Sequence, residues 1–187
     1  MPQFLYLFFA AMLLALVGCA STTTAHLNPA PQEPICGRST KAVILWTTQW
    51  RADQKDIPAR EAAAAEGLSK FFAGSGCFKS ASIRRLRETS MDSIEAAIVE
   101  ATARHEKVVL IVIRELGPTV RIGSSMALVE GGTEVVLEIS EYGVPGTVPR
   151  RFVVEWRDGG PGVVKGVASL PQDMQAALAV GLQPPAR

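Results

Sequence analysis

The chain is poor in the residues that build metal centres and reactive thiols. Its 187 residues include three cysteines and two histidines. No two potential ligands stand at metal-binding spacing, so no metal site and no cofactor is expected. There is no Cys-x-x-Cys and no histidine beside a cysteine, which excludes the usual surroundings of an activated thiol. No Gly-x-Ser-x-Gly is present. Aromatic residues are sparse at 6%, and neither sign of charge is in excess: 19 Lys+Arg against 18 Asp+Glu give a net charge of +1. That balance argues against a nucleic-acid partner, which needs a basic field. The carboxylates offer no acid/base pair. Glu134 and Glu138 are four apart on one strand face, about 13 Å from each other and beyond either glycosidase spacing. No catalytic residue is assigned, and the chain is expected not to be an enzyme.

What the chain does have is an apolar beginning. Fifteen of its first eighteen residues are apolar. Setting them aside lowers the hydrophobic share from 48% to about 44%, ordinary for a soluble domain. Phe4 to Val17 is an uncharged run of fourteen. A spanning helix needs about 20 apolar residues, whereas the core of a signal peptide needs about 7–15. The run closes on Leu16-Val17-Gly18-Cys19, followed by Ala20-Ser21-Thr22. This tetrapeptide resembles the lipobox of bacterial lipoproteins, in which the signal is removed before the cysteine and the thiol carries a diacylglycerol. The n-region Met1-Pro2-Gln3-Phe4 departs from that family in having no Lys or Arg, only the initiating amine. The resemblance implies a signal peptide over 1–18 and a lipid anchor at Cys19. With Ala20 rather than aspartate next, it also implies the periplasmic face of the outer membrane. The other reading, a buried N-terminal helix with a core cysteine, fits poorly with the polar, aperiodic stretch that follows.

Residues 19–35 are then expected to be the lipidated cysteine and a Thr/Pro-rich tether. Pro29, Pro31 and Pro34 stiffen its second half, and its full reach is at most about 55 Å. His26 lies within it and is not expected to be a ligand. A single domain is expected over 36–183, with a short tail over 184–187. With Cys19 lipidated, Cys36 and Cys77 are left as an even pair in an oxidising compartment. Cys36 precedes a strand near 41–48, and Cys77 follows a helix near 58–73. The strand travels about 26 Å out and the helix about 24 Å back, which brings both thiols to one edge. A disulfide is expected, with two separate buried thiols as the alternative.

Hydrophobic periodicity orders the remaining elements. Ala42-Val43-Ile44-Leu45-Trp46 reads as a buried strand, and Ala64, Ala65, Leu68, Phe71 and Phe72 share one helix face. A weaker strand covers about 79–86. Ser90 caps a second helix, with His105 as a cation at its C-terminal end. Lys107 to Ile113 reads as a strand buried on both faces. Gly117-Pro118 is read as a break and Gly131-Gly132 as a hairpin turn between 126–130 and 133–140. Phe152, Val154 and Trp156 mark one more strand, ended by a turn at Asp158-Gly159-Gly160-Pro161. Ser169-Leu170-Pro171-Gln172 reads as a capping box for a closing helix. The expected fold is α/β (α+β): a two- or three-layer sandwich around one mixed sheet, in the order β-α-β-α-β-β-β-α.

A lipobox, a short tether and this element order resemble the outer-membrane lipoproteins that include the curli secretion lipoprotein and the penicillin-binding-protein activators. The segments that carry the likeness are the first strand, KAVILWTTQW, and the Gly76-Cys77-Phe78 turn. Candidate binding residues are Gln49, Trp50 and Arg51, at and beyond the C-terminal end of the first strand. Open α/β sheets bind ligands there, and Trp with Arg favours recognition. Trp46, inside the apolar run, is expected in the core. Arg84, Arg85 and Arg87, with Arg150 and Arg151, read as ordinary surface rather than a basic patch. The expected function is a membrane-anchored periplasmic lipoprotein that binds or helps assemble another envelope component, in the first place a protein. The alternative is a small-molecule or glycan binder using the Trp50 region. The partner and the oligomeric state stay open.

Overall fold

A computed structural model describes residues 21–87, 90–104, 106–122, 129–143 and 148–183. The strands are β1 (Thr22–Asn28), β2 (Gly37–Thr48), β3 (Phe78–Arg85), β4 (Lys107–Ile122), β5 (Val129–Tyr142) and β6 (Arg150–Pro161). Three helices are found among the described residues: α1 (Ile57–Gly74), α2 (Met91–Ala103) and α3 (Leu170–Leu182). All six strands form one sheet in the order β1-β6-β5-β4-β2-β3. β3, β2 and β4 are parallel, while β4, β5, β6 and β1 alternate in direction. The α/β class and the single mixed sheet agree with the sequence expectation. Cys36 and Cys77 form a disulfide, with their Cα atoms 4.6 Å apart. The parallel pairing of Gly37 with Phe78 places both cysteines at the same end of neighbouring strands.

One face of the sheet is covered by α1 and α3. Val135, Leu137 and Ile139 of β5 and Phe152, Val154 and Trp156 of β6 share a core with Leu68 and Phe71 of α1 and Met174 and Leu178 of α3. On the other face Ile94, Ile98 and Ala101 of α2 cover Val43, Leu45, Val108 and Leu110. β2 and β4 therefore bury both faces, which is why they read as continuous apolar runs. β5 and β6 alternate instead. Their second face carries Glu134, Val136, Glu138, Glu155 and Arg157, none of them buried.

Several local expectations are corrected. The tether is not unstructured: Thr22–Asn28 is β1, antiparallel to β6, so the order begins β-β-α. Six of its seven residues are exposed and only Leu27 is half-buried, so no apolar alternation marks it. His26 sits on this strand opposite Glu155. Gly117-Pro118 does not interrupt β4, which runs sixteen residues. Gly131 and Gly132 do not turn a hairpin, and Asp158–Pro161 is not a turn. They lie within β5 and β6, with Gly131 opposite Gly160 and Gly132 opposite Gly159. The cause is close backbone approach: a Cβ on Gly132 would lie 2.6 Å from the Asp158 carbonyl oxygen, and one on Gly159 2.3 Å from that of Gly131. Ser169 does not form the capping box. Its hydroxyl donates to the Gly166 carbonyl and the Asp173 carboxylate. Ser90 does cap α2, accepting from the Ser93 N–H.

The signal segment 1–18, Cys19, residues 126–128 of the expected hairpin arm, His105 and the tail 184–187 lie outside the described residues. No helix among the described residues is long and apolar enough to cross a membrane.

Candidate functional site

The chain leaves β2 through α1 to reach β3, then returns through α2 to β4 on the other side of β2. α1 and α2 lie on opposite faces of the sheet. The connections thus reverse between the C-terminal ends of β2 and β4, where an open sheet leaves a crevice. β2 ends at Thr48, level with Ile113 of β4, and the Gln49 N–H donates to the Ile113 carbonyl at 2.9 Å. β4 continues a further nine residues, to Ile122. The resulting step holds a cavity of about 400 Å³. The sequence-predicted Gln49, Trp50 and Arg51 line it together, with Arg114 and Glu115 of β4 and Glu134 and Val136 of β5.

A β-bulge shapes its floor. The β4–β5 register slips between Ile113 and Glu115, leaving Arg114 without a partner position on β5. Arg114 reaches Glu138 across the solvent-facing side of the sheet, at 2.7 Å. Glu115 is enclosed instead, with its side chain 12% exposed. It accepts from Gln54 Nε2 at 2.6 Å and Arg60 Nη1 at 3.1 Å, and forms an ion pair with Arg51 Nη2 at 3.0 Å. Arg60 is buried on α1 and also donates to the Lys55 and Leu116 carbonyls, at 2.8 and 2.7 Å. Its guanidinium lies over Gly117, where any Cβ would meet it. Glu115 is therefore a carboxylate clamped between two guanidinium groups.

Trp50 is half-buried and packs against the main core. Its indole Nε1 is enclosed and has no hydrogen-bond partner among the described residues. Glu61 of α1 lies near by. Its carboxyl is held below the ordinary range first by the hydrogen bond from Arg85; burial opposes this, and the Thr48 hydroxyl, the Arg85 charge and the Trp50 indole assist. The indole thus adds a weak pull without reaching hydrogen-bond geometry. Arg85 stands 5.0 Å from the ring centre of Trp46, which is buried in the core as expected. At the mouth, Arg51 is 68% exposed and Gln49 is exposed.

These groups suit recognition better than proton transfer. Each acidic side chain of the cavity wall is engaged by an arginine: Glu115 by Arg51 and Arg60, Glu134 by Arg157 at 2.5 Å. Away from the cavity, Arg84 pairs with Glu100 and Arg150 with Glu141. Arg114, Glu115 and Glu134 are cavity residues that the sequence reading missed. Their place depends on the bulge and on the β4–β5 pairing beyond Gly117, where a break was expected.

No protein-family model matches the chain, and no curated protein matches it. Among solved structures it is similar to the PelC dodecamer from Paraburkholderia phytofirmans, at 14% identity over 88% of this chain and 100% of that one, with a TM-score of 0.47. It is also similar to a neuraminyllactose-binding hemagglutinin homolog from Helicobacter pylori, at 11% identity over 78% and 86% of the two chains, with a TM-score of 0.35.

Proposed function

We propose that the chain is a non-enzymatic binding module of the bacterial cell envelope, anchored to the periplasmic face of the outer membrane through a lipid on Cys19. It receives a protein partner at the step between β2 and β4. The observation that carries the site is the cavity of about 400 Å³ at the topological switch, where Gln49, Trp50 and Arg51 come together with Arg114 and Glu115. Arg51 and Gln49 at the mouth add exposed donors, and the indole adds apolar area.

Crosslinking followed by pull-down from intact envelopes tests the reading. Wild type should recover one dominant protein, and Gln49→Ala/Arg51→Ala, which removes the exposed donors at the mouth, should weaken that capture about tenfold. Equal capture by both would refute the site. The aromatic face beside the Gln49 amide and paired carboxylates also favours the alternative, a glycan or small polar ligand. That alternative prevails if peptidoglycan fragments alone raise the melting temperature and no protein is recovered. The anchor has its own test: palmitate labelling of wild type, lost in Cys19→Ala. A soluble, unlabelled wild type would sink it.

A further inference from the structure

The position of β1 decides which end of the domain meets the lipid. β1 begins at Thr22, three residues after Cys19. A chain spans at most about 3.6 Å per residue, so Thr22 lies within about 11 Å of the Cys19 Cα. β1 is not free to swing away from the body. Thr22 is registered opposite Gly159 and Asn28 opposite Val153. The hydroxyls of Ser21 and Thr23 donate to the Asp158 carboxylate at 2.9 and 2.6 Å. The end of the sheet where β6 finishes and β1 starts is therefore the end at the anchor.

That end also carries the apolar side chains that water disfavours. Val120 is 69% exposed and Val164 94%. Val120 stands opposite Gly131 in the sheet. The chain leaving β6 crosses Gly131 so closely that a Cβ there would lie 2.0 Å from the Val163 carbonyl oxygen, which brings Val164 to the same place. Of the neighbouring charges, Lys165 pairs with Asp158 at 2.5 Å and Asp173 at 2.8 Å, and Arg157 with Glu134 at 2.5 Å. Single exposed valines are ordinary, but two brought together at the end nearest a lipid anchor offer a contact surface.

We propose that Val120 and Val164 rest on the lipid surface beside the acylated Cys19, so that the sheet stands on the membrane by this end. This rests on the lipidation of Cys19 proposed above. β2 and β4 then run toward the lipid, and the Trp50 cavity opens on the membrane side of β2, alongside the nine residues by which β4 outruns it.

With Cys19 acylated and Cys36 bonded to Cys77, an introduced cysteine is the sole free thiol. The acylated chain carrying Val120→Cys, Val164→Cys or Val148→Cys is labelled with a polarity-sensitive dye and reconstituted in phosphatidylethanolamine/phosphatidylglycerol vesicles. Val148, 93% exposed, is the control, because it precedes β6 at the opposite end of the sheet. Circular dichroism matching wild type confirms the fold of each variant. The expected result is a blue-shifted emission, quenched by brominated lipid, at positions 120 and 164 and at neither wavelength nor intensity any change at 148. Equal response at all three positions, or the strongest at 148, in chain that incorporates palmitate overturns the orientation and leaves the anchor standing. Wild type without palmitate removes both.

Discussion

Gly117→Ala probes whether Arg60 is held by space as well as by charge. Among the described residues only Gly76 and Gly162 are glycines with positive φ, so the backbone at 117 accepts alanine. The guanidinium does not: a Cβ would lie 1.5 Å from Arg60 Nη1 and 2.4 Å from Cζ. Arg60 must withdraw, losing its bonds from Nη1 to Glu115 at 3.1 Å and to the Leu116 carbonyl at 2.7 Å. Hydrogen bonds involving a charged group are worth about 1.5–3 kcal/mol each. Glu115 keeps Arg51 and Gln54 as partners, which places the two losses at the low end, about 3 kcal/mol together. Alanine offsets about 0.4–1 kcal/mol of this by restricting the unfolded chain. The net cost is about 2–3 kcal/mol, or roughly 4–12 °C in Tm for a chain of this size. Urea denaturation followed by circular dichroism should be run on wild type, Gly117→Ala, Arg60→Ala and the double variant. Once Arg60 is removed the clash is gone, so Gly117→Ala should be neutral or slightly stabilising there, and the coupling should equal nearly the whole single-variant cost. The same cost in both backgrounds, or under about 1 kcal/mol in wild type, would refute the wedge.

The Cys36–Cys77 bond closes a loop across 41 positions, and chain entropy assigns it about 4 kcal/mol. Cys36→Ala/Cys77→Ala should lower the urea midpoint accordingly, and superimposable curves would count against the bond. Asp158 is held ionised by the hydrogen bond from Lys165, then by the Thr23 hydroxyl, against burial, with the Ser21 hydroxyl and the Lys165 charge assisting. Its folded pKa lies below its unfolded one, so the stabilisation is complete above the ordinary carboxylate range. It is lost as pH falls through the folded value, below about pH 4. The urea midpoint should hold from neutrality to about pH 5 and drop below pH 4, and Asp158→Asn should shrink that drop. An Asp158→Asn chain with the full acid-induced fall would show that the pair does not contribute.

The elements legible in the sequence are those whose pattern comes from burial. β2 and β4 bury both faces and read as unbroken apolar runs; α1 and α2 bury one stripe and read by its period. β1 was illegible because an edge strand with exposed side chains is held by main-chain pairing and by the hydroxyls of Ser21 and Thr23, none of which leaves an apolar signature. The glycine pairs misled for a physical reason. Glycine permits a turn and also permits two backbones to crowd together, and Gly131-Gly132 facing Gly160-Gly159 is the second case. At the cavity, Gln49, Trp50 and Arg51 followed from the rule about strand ends, which needs only a parallel strand and a loop. Glu115 and Arg60 required the bulge and a contact across 55 positions, which no local pattern encodes.

The pairing of β1 with β6 also sets an order of events. Ser21 and Asp158 meet across 137 positions, so the first strand to be synthesised is the last that can be placed. Until Pro161 has emerged β1 has no neighbour, and until β1 docks β6 presents a bare row of amides and carbonyls to any extended chain. The interval between completion of β6 and capture of β1 is thus the period of greatest exposure to misassembly. A chain that lacks residues 21–28 stays in that interval permanently.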